Sequence, residues 1–88
     1  MMMNTEQHLI AFKNYMNYRR YSGNTIKTYS DALEVFFRFF QNKNLESLTI
    51  EDIIQFNNDY ILRKNLSSSY QNQVINAIKL FYRNRFNK

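Results

Sequence analysis

Between Ile26 and Phe40 the apolar residues Ile26, Tyr29, Leu33, Phe36, Phe37 and Phe40 recur at steps of three and four, the period of one helix face. They predict a helix over about 23–42, opened by the interruption Ser22-Gly23-Asn24 with Ser22 as its N-cap. Upstream, Leu9, Phe12 and Met16 keep the same spacing behind Asn4 and Gln7, which read as a cap and its capping-box partner, so a first helix is expected over about 5–20. A linking loop, 43–48, follows the second helix. Thr49 and Asp52 then repeat the cap pattern, with Asp in place of the usual Glu, and open a third helix over about 50–64. Its buried face is read as Ile53, Ile54 and Ile61 with help from Phe56 or Tyr60, although two alternative stripes compete. Ser67 caps a fourth helix over about 68–86, whose apolar face is Tyr70, Val74, Ala77, Ile78 and Phe81.

The expected fold is therefore all-α, a single four-helix domain. The chain has no proline and one glycine, too few turn residues for a meander of short strands. At 88 residues it buries only about 60% of its unfolded surface. Its core must be efficient, and eight Phe and seven Tyr, each able to bury on the order of 150–250 Å², supply that efficiency. With no cysteine there is neither a disulfide framework nor a thiolate metal site. No apolar run approaches the roughly 18 residues of a membrane span, and the N-terminus lacks the pattern of a signal peptide. These absences lead to the expectation of a cytoplasmic protein with no membrane partner and no cofactor.

Charge changes the picture because it is placed by region. Residues 1–60 hold six basic and seven acidic side chains, whereas residues 61–88 hold six basic and none acidic, giving +5 for the whole chain. A cationic segment of this kind points to a polyanionic partner. On the fourth helix, Ser69, Asn72, Gln73, Asn76, Lys79 and Arg83 lie opposite the apolar stripe. Cations supply affinity for phosphate, and Asn or Gln pairs in two places with an adenine edge, so this face suits a helix in a DNA major groove. The bland reading is a solvated face, with Arg83, Arg85 and Lys88 also placed to stabilise the helix dipole. A second cluster opens the second helix: Asn24, Thr25, Lys27 and Thr28, preceded by Arg19 and Arg20. Hydroxyls and Lys beside the N–H groups of a helix start make a phosphate seat. Plain capping by Ser22 and Thr25 with a solvated Lys27 explains the same residues. Asp31 and Glu34 would repel phosphate further along.

Catalysis by this chain alone is not expected. His8 is the only histidine and has no cysteine beside it, so it is read as structural or solvent-exposed. Glu51 and Asp52 point in different directions on a helix and do not make an acid/base pair. Tyr82 beside Arg83 is the one hint of a tyrosine nucleophile, but it lacks a surrounding cation cluster; packing or a phosphate hydrogen bond is the preferred role.

The pattern Ser22-x-x-Thr25-x-x-x-Tyr29-x-x-x-Leu33-x-x-Phe36-Phe37, then Leu48-Thr49-x-x-Asp52-Ile53, then Ser67-x-Ser69 leading to Ala77-Ile78-x-x-Phe81-Tyr82, resembles a known module. It is similar to the N-terminal core-binding domain of tyrosine recombinases, the phage-integrase and Xer family, over about residues 6–86. The resemblance implies a SAM-like orthogonal bundle forming half of a clamp on the recombination core site, with the second and fourth helices crossing the major groove of double-stranded DNA. By position it places Thr25 at a phosphate, Thr28, Ser69 and Gln73 nearer base edges, and Lys27, Asn72, Asn76 and Arg83 on the same contact surfaces. Ser69 departs from relatives that carry a basic residue there. In that family strand cutting belongs to a separate C-terminal domain, so the chain is expected to bind DNA without cutting it. Other recombinase protomers would be partners of the full-length protein, the fragment itself being monomeric and nucleoid-associated. Two other readings stand beside this one: a helical protein-interaction domain seeded by Phe39, Tyr82 or Phe86, and a stand-alone helical DNA-binding regulator.

Overall fold

A computed structural model describes residues 5–87 as four α-helices with no strand among the described residues. They are α1 (Thr5–Tyr18), α2 (Gly23–Phe39), α3 (Ile50–Phe56) and α4 (Ser68–Phe86). The expected cap at Asn4 lies outside the described residues. The other three caps form as read: Ser22 Oγ accepts from Thr25 N at 3.1 Å, Ser67 Oγ accepts from Tyr70 N at 3.0 Å, and Thr49 shares a complete capping box with Asp52. In that box Asp52 Oδ2 accepts from Thr49 N at 2.9 Å while Thr49 Oγ1 accepts from Asp52 N at 3.3 Å. Helix starts are set here by side chains that satisfy otherwise orphaned backbone donors.

Helix ends depart from the expectation. The first helix stops at Tyr18 because Arg20 adopts φ 62°, and Tyr21 N and Arg20 N donate to Met16 O and Asn17 O, both at 3.0 Å. This is a Schellman turn with arginine in the left-handed position that glycine usually takes. Asn65 (φ 57°) repeats it, with Leu66 N donating to Ile61 O and Asn65 N to Leu62 O, each at 3.0 Å. The second helix ends at Phe39, three residues before its expected limit, and the loop after it contains a 3₁₀ turn, Leu45–Ser47. That turn exists because Leu45 and Leu48 are both buried.

The third helix needs the largest correction. Its α-helical part ends at Phe56, and Asn57–Leu62 form a π turn, in which Arg63 N donates to Asn58 O at 3.1 Å. A turn closed by i→i+5 bonds brings residues five apart onto one face, so Phe56 and Ile61 are both fully buried. Ile54, expected in the core, is instead 53% exposed, and Ile53 is half-buried.

The core runs through all four helices. Phe12 and Met16 of α1, Leu33 and Phe36 of α2, Phe56 of α3, and Val74 and Phe81 of α4 are sealed from solvent. Phe36 meets Phe56 edge-on at 5.2 Å and Phe40 at 5.3 Å, while Phe81 meets Phe37 at 5.2 Å and Phe12 at 5.6 Å. Such edge-to-face pairs add about 0.5–1.5 kcal/mol each beyond their burial. Phe37 against Phe81 locks α2 to α4, the most extensive contact between helices of the bundle, while Phe36 against Phe56 ties α2 to α3 and Phe12 against Phe81 ties α1 to α4.

Candidate nucleic-acid interface

The stripe Val74, Ala77, Ile78 and Phe81 turns inward, which leaves the opposite face of α4 to solvent. Ser69, Asn72, Gln73, Asn76, Lys79 and Arg83 are all exposed on it. Lys79 and Arg83 have no ion-pair partner among the described residues. No side-chain hydrogen bond, ion pair or ring contact holds these six side chains among the described residues.

The cluster at the start of α2 is held differently. Ser22 Oγ donates to Thr25 Oγ1 at 2.9 Å while accepting from Thr25 N, so the capping bond also orients the Thr25 hydroxyl. That hydroxyl keeps its own hydrogen for an acceptor. Thr25 and Thr28 are half-buried, whereas Arg19, Arg20, Asn24 and Lys27 are exposed. The Schellman turn holds Arg20 just before α2, where its charge adds to the positive end of the helix dipole. Lys27 is committed in part: its Nζ donates to Asp31 Oδ2 at 2.9 Å, one helical turn on, and that hydrogen bond raises its pKa. The fold thus sets the two polar clusters on the two helices that pack together most extensively.

Other residues singled out in the sequence are structural. The Tyr82 hydroxyl is buried and donates to Leu45 O at 2.6 Å; desolvation, followed by the charge of Asp52, pushes its pKa far up. A nucleophilic phenol needs the opposite shift. This burial also corrects the idea of Tyr82 as an exposed interface residue, while Phe86 is half-buried and Phe39 is 38% exposed. His8 sits edge-on to Phe81 and Phe86, and its Nδ1 accepts from Arg85 Nε at 3.5 Å. Burial first and the Arg85 charge second lower its pKa, against an opposing pull from Glu46. One surface feature escaped the sequence reading: Ile50, Ile54 and Ile75 line an open groove between α3 and α4. Its signal was the second stripe of α3, on which Ile50 and Ile54 stand one turn apart.

The family model for the phage integrase N-terminal SAM-like domain matches residues 9–88. The chain belongs to this family, and it is the N-terminal SAM-like domain and not the catalytic domain. No curated protein and no solved structure matches it. No helix among the described residues is long and apolar enough to cross a membrane.

Proposed function

We propose that this domain is a DNA-gripping module of an integrase, holding double-stranded DNA with the outward face of α4 and the first turns of α2. The observation that carries the reading is the α4 face: two unpaired cations and four amide or hydroxyl side chains, all exposed and none held by a side-chain hydrogen bond or ion pair among the described residues. Lys79, Arg83, Arg19, Arg20 and Lys27 supply phosphate affinity, and the N–H groups and Thr25 hydroxyl at the start of α2 supply a directed phosphate contact. Asn72, Gln73 and Asn76, with Ser69 and Thr28, tune binding at base edges, each well-formed bidentate pair discriminating by about 1–3 kcal/mol. The isolated domain acts as a monomer and binds weakly, and in the full-length integrase it works beside other protomers on DNA.

Binding carried by phosphate contacts depends on salt. With about 4–6 contacts and a slope near −0.9 per contact, affinity falls roughly 10²–10³-fold between 50 and 200 mM salt. Fluorescence anisotropy with a labelled duplex measures this directly. Charge reversal at Arg83 or Lys27 lowers affinity and flattens the slope by about one contact while the circular dichroism spectrum stays helical. Salt-independent binding, or reversal without effect, refutes the reading and favours a protein-interaction domain.

A further inference from the structure

Isoleucines left in water are the clearest feature of this molecule that neither the core nor the proposed DNA face employs. Ile50 is 73% and Ile54 53% exposed, and with Ile75 of α4 they wall a groove of about 630 Å³ whose floor includes the buried Tyr82 ring. The two walls differ in charge. On the α4 lip stand Lys79 and Arg83, one turn apart, without an ion-pair partner among the described residues, in a segment with no acidic side chain from Ile61 to Lys88. No carboxylate lines the groove; of the two in the first turn of α3, Asp52 is occupied by its own cap and by Lys43 at 3.3 Å, and Glu51 is exposed.

An apolar trough between two helices, basic along one edge, selects its occupant by shape and by charge. We infer that the groove receives an amphipathic helix from another protein, its apolar residues at i, i+3 and i+7 set among Ile50, Ile54 and Ile75 and an acidic flank lying along Lys79 and Arg83. Apolar walls of this kind favour a protein over a nucleic acid, whose backbone offers charge but no aliphatic anchor. The inference does not rest on the DNA reading, since the three isoleucines stand outside the proposed DNA face. The two meet at Lys79 and Arg83, so a bound acidic helix covers two cations offered to phosphate. Such a partner releases the domain from DNA by occupying its lip.

The probe is a fluorescein-labelled 16-residue synthetic helix with Leu at i, i+3 and i+7 and Glu along one flank, titrated with the whole 88-residue chain. Saturable binding is expected, weakened at least tenfold by Ile54→Ser and by Arg83→Glu, with Ile54→Ser leaving affinity for duplex DNA within twofold. Ile50→Ser takes its place if circular dichroism shows Ile54→Ser unfolded. Equal binding by a peptide with its Leu residues replaced by Ser makes the interaction a polyanion on the DNA face and overturns the inference. Equal binding by a Lys-flanked peptide removes the charge selection and overturns it too, as does absence of binding. A concentration-dependent dimer dissolved by Ile54→Ser assigns the groove to a second copy, and a tenfold loss of DNA affinity in Ile54→Ser assigns it to DNA; either result contradicts the inference.

Discussion

Replacing Tyr82 by Phe removes one oxygen and leaves the ring, so it isolates a single buried hydrogen bond. The ring keeps its contacts with Phe36 at 6.4 Å, Phe81 at 5.3 Å and Phe86 at 5.4 Å. What disappears is the 2.6 Å bond to the Leu45 carbonyl, across 37 residues of chain. Leu45 O then keeps only the long 3.4 Å bond from Leu48 N, and its desolvation is no longer offset. Leaving a buried acceptor so poorly satisfied costs about 1–3 kcal/mol. We take about 1.5 kcal/mol, because the remaining bond recovers part of the loss. For a domain of this size each kcal/mol moves Tm by about 4–8 °C, so the variant melts roughly 6–12 °C below the parent. Thermal unfolding followed by circular dichroism at 222 nm measures it. A shift under about 2 °C refutes the claim that this hydroxyl pins the 3₁₀ turn to α4. DNA affinity measured well below Tm stays unchanged, which separates this structural tyrosine from a catalytic one.

Arg20→Gly relieves a left-handed backbone that costs a non-glycine residue about 1–2 kcal/mol, part of it returned as unfolded-chain entropy. The variant is expected to melt higher by a few degrees yet bind DNA more weakly, with the salt slope reduced by about one contact. Asp31→Asn frees Lys27 from its 2.9 Å ion pair and removes a negative charge near the start of α2. It should tighten DNA binding severalfold in anisotropy titrations at low salt. His8 gives a pH signature: its folded pKa lies below the ordinary 6.5, so the unfolded chain binds the proton more readily. Its contribution to stability is complete above about pH 6.5 and is lost as pH falls through the folded pKa. Tm measured from pH 7.5 to 5 should fall, and His8→Gln should flatten that slope.

Four helices, their order and three of their caps are legible from residue spacing because each rests on local chemistry. Ser22, Thr49 and Ser67 each satisfy a donor three residues away, and no distant contact overrides them. The course of the third helix is not legible in that way. A 3.6-residue period cannot align Phe56 with Ile61, so the reading placed Ile54 inside; the π turn aligns them by adding one residue to the turn. Helix ends were missed for a related reason, since Arg20 takes the left-handed position without the glycine that usually marks it. The polar face of α4 was legible because the periodicity that buries Val74 and Phe81 also exposes Asn76 and Arg83. Packing of Tyr82 was legible too, but its hydrogen-bond partner was not, because Leu45 lies 37 residues away.

The most direct test of DNA binding by α2 and α4 is a map of amide chemical shifts in the ¹⁵N-labelled domain during titration with duplex DNA at low salt. Shifts concentrated at residues 19–28 of the α1–α2 turn and start of α2, and at 69–83 of α4, with α1 up to Met16 unmoved, are the predicted result. Shifts confined to α1 or to the exposed isoleucines of α3, or no shifts at all, contradict it.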